Sequence, residues 1–187
     1  MLDSLKPYPL YFIQKASPGK GDAFDFVYVF KFYSDRTDRY QRLKYIVRAE
    51  FYSDVIAVKF YAARDRKLEK KYNRIIHAHG YSGAVRVFFT CAMAVSQLHA
   101  LFPTHSFVVC GAESDDVALE KVEDKRNNQR FRIYRTMALQ LFGRVTFEHY
   151  QQEEVSTYTL VNRSGCTDIE AKYKRIKDMF LDLGFGN

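Results

Sequence analysis

One continuous stretch, residues 80–143, limits most strongly what this chain can fold into. It begins with a glycine turn and continues as an apolar helix, which is predicted to start at Gly83 or Ala84 and to stop at Pro103. The apolar run 106–110 follows, and it is typical of a strand that is covered on both faces. A buried strand after a helix implies a sheet with helices packed on it, so the flanking segments must supply the remaining strands.

A second helix is predicted from about Asn127 to Gly143. Its apolar side chains recur at steps of three and four: Phe131, Tyr134, Ala138, Leu141 and Phe142. Gly143 stands where many helices end in a left-handed residue, and we expect that conformation for it. The polar segment 113–125 before this helix predicts a mobile surface loop with room for one helical turn.

The segments before the glycine turn alternate in the way that strands do. Residues 10–14 predict a short edge strand, and residues 24–32 predict the longest strand. Segments 43–51 and 55–62 are predicted to pair as a hairpin through a short turn at 53–54. The aromatic residues of the longest strand are predicted to share one face: Phe24, Phe26, Tyr28, Phe30 and Phe32.

The last part of the chain predicts strands followed by a helix. Segments 145–150 and 155–161 predict two further strands or one bulged strand. A final helix is predicted over residues 167–184. Thr167 and Glu170 have the spacing of a capping box, in which the two side chains satisfy each other's backbone N–H groups.

Length and composition suit one folded unit. The chain has 187 residues, of which 47% are hydrophobic, so we expect a single domain over residues 1–187. The order of elements predicts an α+β fold with a mixed, mainly antiparallel sheet flanked by helices. No signal-peptide pattern and no apolar run of about 18 residues occurs, so no membrane association is expected.

The cysteines favour a reducing compartment. Cys91, Cys110 and Cys166 cannot all pair with one another, and they form no CxxC motif. We therefore expect a cytoplasmic location and no tightly bound metal.

The charge balance favours anionic partners. The formal net charge is +7, spread among 22 acidic residues. Basic residues concentrate in segment 64–74 and around the helix after Asn127, at Arg126, Arg130, Arg132 and Arg135. With a tyrosine-rich sheet, they could bind nucleic acid through phosphate contacts and base stacking. Solvated basic faces, a protein partner, and a homodimer formed through an exposed sheet edge are the alternatives.

The glycine turn is a candidate anion site. Backbone N–H groups at a helix N-terminus, together with the positive end of the helix dipole, attract anions. The residues that would present them are Gly80, Tyr81, Ser82, Gly83 and Ala84. The same glycines could serve only to form a tight turn, and both interpretations stay open.

Over residues 24–161 the order of elements resembles the core of the GNAT superfamily of N-acyltransferases, with an extra C-terminal helix over 167–184. In that family a glycine-containing loop introduces a helix whose N-terminus holds the pyrophosphate of acyl-coenzyme A. A later helix often begins with Asn and carries a Tyr seven positions on, as Asn127 and Tyr134 are placed here.

The resemblance implies a protein that binds acyl-coenzyme A and transfers its acyl group to an amine. The implied cofactor contacts are Gly80, Tyr81, Ser82, Gly83, Ala84, Arg86 and Asn127. Tyr134 would be the general acid that protonates the departing thiolate, unless it is only a core aromatic. The general base stays open among Glu50, Glu113 and His79. The competing hypothesis is a non-catalytic basic protein that recognises nucleic acid or a protein partner.

Overall fold

The fold was described from a computed structural model, which describes residues 5–36, 41–74, 80–113, 115–116 and 121–184. The strands in these ranges are β1 (Tyr11–Ala16), β2 (Phe26–Tyr33), β3 (Lys44–Tyr52), β4 (Val55–Ala62), β5 (Ser106–Cys110), β6 (Asp115–Asp116), β7 (Lys121–Val122), β8 (Phe147–Gln152) and β9 (Thr157–Asn162). The helices are α1 (Gly80–Leu101), α2 (Gln129–Leu141) and α3 (Ile169–Asp182).

A seven-stranded sheet organises the molecule, with the strand order β1-β2-β3-β4-β5-β9-β8. Its neighbouring strands are antiparallel except at the centre, where β4 and β5 run parallel. The parallel pair follows from the crossover through α1, since two parallel strands need a long connection. The predicted α+β fold with a mixed, mainly antiparallel sheet is therefore confirmed.

Helices cover the two faces of the sheet unequally. α1 and α2 lie on one face, where their side chains share a large core with β2, β3 and β4. α3 lies on the other face, where Ile176 and Phe180 pack with Tyr52, Val55 and Val108. The central strands are thus buried on both sides, as the apolar run of β5 predicted.

Helix α1 owes its apolar sequence to its place in this core. The segment Ser82–Leu101 has a mean hydropathy of 1.4 and is long and apolar enough to cross a membrane. Half of it is buried inside the fold, and Val87 and Leu98 are fully buried at 0% exposure. A helix in a protein core has the same composition as a membrane span, so the hydropathy alone does not distinguish the two.

The predicted hairpin of segments 43–51 and 55–62 is confirmed. The aromatic residues of the predicted strand 24–32 also share one face, except Phe24. β3 and β4 pair from Tyr52 and Val55 outward, and the turn residue Ser53 has a left-handed φ of 56°. Phe24 is the exception, because β2 begins only at Phe26 and Phe24 packs in the opposite core. The physical reason is a bend at residues 24–25, where Asp25 accepts a hydrogen bond from the backbone N–H of Ser53.

Several predicted boundaries were wrong. α1 begins at Gly80, before the predicted Gly83 or Ala84, and α2 begins at Gln129 with Asn128 as its N-cap. Gly143 is not left-handed, because Phe142 is already extended and leads the chain directly towards β8. Within the described residues of segment 113–125, β6 and β7 pair antiparallel where a loop with a helical turn was predicted.

The N-cap of α3 is Asp168, so the predicted capping box of Thr167 and Glu170 is wrong. Asp168 Oδ1 accepts the N–H of Ala171 at 2.9 Å, while Glu170 accepts a hydrogen bond from Tyr150. Asp168→Ala should therefore lower the free energy of unfolding by about 1 kcal/mol, since an orphan N–H loses its acceptor. Urea unfolding measures this loss. Thr167→Ala should stay within about 0.5 kcal/mol, and an equal loss in both variants would restore Thr167 as the cap.

Candidate functional site

The parallel strands β4 and β5 separate towards their C-terminal ends. They pair only from Val55 and Ser106 to Ala57 and Val108. Beyond that point β4 continues beside β3 as far as Ala62, and β5 continues beside β9 as far as Cys110. Each strand thus keeps its outer partner and loses the inner one, and a groove opens between them.

A cavity of about 360 Å³ occupies this groove. Pockets for small molecules usually measure roughly 300–1,000 Å³, so the cavity can hold part of a ligand. Its walls come from β4, the segment after it, the exit of β5, α2 and the end of α3: Lys59, Phe60, Tyr72, Asn73, Cys110, Gly111, Ala112, Glu113, Lys125, Arg130, Tyr134, Val155, Leu183 and Gly184.

Tyr134 lies in the wall of this cavity, and only 8% of it is exposed. Its ring makes an edge contact with Phe88, with 5.2 Å between the ring centroids. Burial raises the pKa of Tyr134 well above its ordinary value, although the nearby Arg130 partly opposes the shift. The hydroxyl therefore stays protonated at neutral pH and can act as a hydrogen-bond or proton donor.

Arg130 supplies a buried positive charge to the same cavity. It is 7% exposed, and its guanidinium donates to the backbone carbonyls of Tyr72 and Arg74. Burial lowers its pKa, and across the described residues no carboxylate lies within ion-pair distance of it. The effect of burial is partly opposed by Tyr134 and by the carboxylate of Glu123, which acts on Arg130 from beyond ion-pair distance. The positive charge that is left makes this wall suitable for an anionic ligand or a developing negative charge.

The predicted bases have different positions. Glu113 lines the cavity. Glu50 is 4% exposed on β3, and its carboxylate binds Lys59 Nζ at 2.7 Å and Arg48 Nε at 3.1 Å. Both of its oxygens are therefore occupied, which leaves Glu113 as the better placed carboxylate. His79 lies outside the described residues.

The predicted pyrophosphate contacts form the first turn of α1. Gly80, Tyr81, Ser82 and Gly83 begin the helix, and the first four N–H groups of an α-helix lack intrahelical acceptors. The described side chains of this turn do not line the cavity, whose wall reaches Asn73 on the preceding segment. The predicted pyrophosphate contacts therefore do not line the cavity in the described structure.

Arg86 and Asn127 were predicted as cofactor contacts, and the structure gives each of them different surroundings. Arg86 donates to the carbonyl of Lys6 at 2.6 Å, pairs with Asp35 and lies 4.0 Å above the ring of Tyr8. Its guanidinium is therefore held by the N-terminal segment. Asn127 has a left-handed φ of 48° and precedes the true N-cap, and its buried Oδ1 has no hydrogen-bond partner in the described structure.

Helix α2 does not present its arginines as one free basic surface. Arg132 donates to the carbonyl of Asn127, and Arg135 pairs with Glu153 at 3.2 Å. Arg130 is buried, as described above, whereas Arg126 is exposed. The predicted phosphate-binding row is therefore largely engaged in contacts within the protein.

Cys110 lines the cavity, but its thiol is a poor candidate nucleophile. Its Sγ lies 3.3 Å from Thr157 Oγ1, and burial raises the pKa of the thiol. The nucleophilic form is the thiolate, so a neutral thiol here is a poor nucleophile. No group of three or more His, Cys, Asp or Glu side chains that could hold a metal ion occurs in the described ranges.

Sequence reasoning found Tyr134 and Glu113 but missed Arg130 as a cavity residue. Its position four residues before Tyr134 was the available signal, because residues four apart share one helix face. The cavity therefore combines a protonated donor, a carboxylate and a buried guanidinium. No family model, curated protein or solved structure matches this chain, so the argument for a function rests on these residues.

Proposed function

We propose that this protein binds acyl-coenzyme A in the groove between β4 and β5 and transfers the acyl group to an amine. The observation that carries the proposal is the meeting of Tyr134, Glu113 and Arg130 in one cavity where parallel strands part. In the GNAT superfamily, which the order of elements resembles, such a parting of strands receives the coenzyme.

The charges of the cavity fit an anionic ligand. Arg130 makes no ion pair within 4.0 Å in the described residues, although the more distant Glu123 offsets part of its charge, and Lys125 lies in the same wall. Glu113 is the acidic side chain among the lining residues. The excess of positive charge favours a phosphorylated carrier over a cationic ligand. The first turn of α1 adds outward N–H groups that suit a pyrophosphate.

Glu113, Tyr134 and Arg130 would each have a different role in acyl transfer. Acyl-coenzyme A, when bound, supplies an activated thioester. Glu113 can accept the proton that an amine must lose, and Tyr134 can give a proton to the departing sulfur, since its raised pKa keeps it protonated. Arg130 stabilises negative charge that develops beside it, and its two carbonyl contacts hold the guanidinium in place.

Ligand-dependent thermal stability tests the proposal. At a concentration of acetyl-coenzyme A about 100 times Kd, a ligand selective for the folded state adds about 2.7 kcal/mol, which should raise Tm by about 5–10 °C. Gly83→Glu should abolish this shift, because a carboxylate at the first turn of α1 repels the pyrophosphate. A negative charge near a helix N-terminus is favourable for the helix dipole, and the Tm of the ligand-free variant shows whether the fold is kept.

Gly143→Glu is the matched control. It introduces the same side chain and charge at an exposed glycine whose added Cβ would meet nothing within 4 Å. The control should keep the full ligand shift. Absence of a shift in the unchanged protein, with both acetyl-coenzyme A and free coenzyme A, would overturn the proposed function. An unaltered shift in Gly83→Glu would remove only the α1 turn from the site.

A further inference from the structure

A second, smaller cavity lies between the sheet and the helices α1 and α2. Its volume is about 30 Å³. A water molecule needs roughly 10–15 Å³ of such space, so the small cavity has room for about two groups of that size. Its walls come from β4, β5, β9, α1 and α2, and they include Val58, Ala92, Val95, Val109, Met137 and Ala138.

The small cavity lies next to the large one, where β4 and β5 part. Val58 and Val109 line the small cavity, and each directly follows the last residue through which the two strands pair. Two residues further along the same face of each strand, Phe60 and Gly111 line the large cavity. Tyr134 lines both cavities. A group bound beside Tyr134 in the large cavity is therefore adjacent to the small one.

The small cavity suits a hydrocarbon group better than water. A buried water needs two to four polar partners, whereas the walls are almost entirely apolar. Among the polar side chains that contribute to them, the Tyr158 hydroxyl contacts His149 Nδ1 at 2.7 Å. Burial raises the pKa of the Cys91 thiol, which therefore stays neutral. An alkyl group would gain from these walls, because each buried methylene raises affinity about fourfold.

We propose that the small cavity receives the end of the acyl chain, so that the preferred donor is butyryl-coenzyme A and not acetyl-coenzyme A. This inference rests on the proposed acyl transfer in the large cavity. A butyryl group has two methylenes more than an acetyl group, which matches the room for about two small groups. Phe107 and Leu160 also line the small cavity and are buried, so it ends in the packed core and excludes much longer chains.

Calorimetric Kd values for free coenzyme A and for its acetyl, butyryl and octanoyl thioesters test the inference. Butyryl-coenzyme A should bind about 15-fold more tightly than acetyl-coenzyme A, at about fourfold for each methylene. Octanoyl-coenzyme A should bind more weakly than the butyryl thioester. If free coenzyme A binds, equal affinity for acetyl and butyryl, or an affinity that still rises at octanoyl, would overturn this inference alone. Absence of binding by all four compounds would overturn the proposed function as well.

Two substitutions in the walls should move the preferred chain length in opposite directions. Ala138→Val adds two methyl groups to the small cavity, so the roughly 15-fold advantage of butyryl over acetyl should disappear. Val95→Ala removes two methyl groups, so the best chain should lengthen to about six carbons. Ala100→Val makes the first change at an exposed position of α1 and should keep the butyryl preference.

The Tm of each ligand-free variant shows whether its fold is kept. If Ala138→Val does not fold, the chain-length preference of Val95→Ala decides. An unchanged preference in the folded wall variants, or the same loss of preference in Ala100→Val as in Ala138→Val, would overturn the assignment of the small cavity to the acyl chain.

Discussion

Tyr134→Phe is expected to lower the turnover of acyl transfer about 10²- to 10⁴-fold and to leave coenzyme binding nearly unchanged. The substitution removes one hydroxyl and keeps the ring that contacts Phe88. Because the departing thiolate would then lack its proton donor, kcat should fall while Kd stays constant. The measurement follows the release of free thiol from acetyl-coenzyme A with a panel of primary amines, and calorimetry gives Kd.

Tyr158→Phe is the matched control for this variant. Tyr158 is also buried, at 1% exposure, but its hydroxyl contacts His149 Nδ1 at 2.7 Å and does not line the cavity between β4 and β5. Its loss should cost about 1 kcal/mol of stability and leave kcat unchanged. Full turnover in Tyr134→Phe would remove this residue from the mechanism, and an equal fall in both variants would indicate a packing effect.

The pH dependence of kcat is a second test of the role of Tyr134. Burial raises the pKa of its hydroxyl above the ordinary value of 10.0, so this group remains a proton donor throughout the neutral and mildly alkaline range. A fall in kcat between pH 8 and 10 should therefore persist in Tyr134→Phe, since other groups must cause it. Its disappearance in the Phe variant would show that Tyr134 titrates in that range.

Much of the sheet could be predicted because strands repeat with period two. In β3, Tyr45, Val47, Ala49 and Phe51 all pack on the α1 side, as their spacing predicted. The ends of helices were harder to predict, because adjacent residues can be equally suitable as the N-cap. Asp168 and not Thr167 caps α3, although both residue types are good caps.

The cavity could be predicted only in part. Tyr134 was found through its spacing from Asn127, although Asn127 itself precedes the true N-cap. Arg130 is buried where the segment after β4 meets α2, with its guanidinium on the carbonyls of Tyr72 and Arg74. The cavity beside it lies where β4 and β5 part, because each strand keeps a different outer partner. Such long-range contacts leave no local periodicity, so Arg130 was expected at the surface, as a phosphate contact or as a solvated cation.

Gly111→Ala is expected to lower the free energy of unfolding by about 3 kcal/mol. An added Cβ would lie 2.4 Å from Asn128 Oδ1 and 2.7 Å from the backbone N of Phe131. Gly111 has no left-handed φ, so the cost comes from steric overlap. The overlap displaces the N-cap of α2, worth about 1 kcal/mol, and leaves buried polar groups unsatisfied at about 1–3 kcal/mol.

Urea unfolding measures this loss, and Gly143→Ala is the control. An added Cβ at Gly143 would meet nothing within 4 Å, so that variant should be neutral or more stable by up to about 1 kcal/mol. Equal stability of the two variants would contradict the packing argument.

A double-mutant cycle locates the overlap at the Asn128 side chain. Asn128 donates to the Gly111 carbonyl and accepts the N–H of Phe131 at 2.9 Å, so Asn128→Ala removes the nearest clashing atom together with the cap. Gly111→Ala should then cost less in the Asn128→Ala background than in the unchanged protein, because the two residues share one contact. The same displacement would shift Arg130 and Tyr134 at the start of α2. Gly111→Ala should therefore also weaken stabilisation by acetyl-coenzyme A, which ties the groove to the packing at the exit of β5.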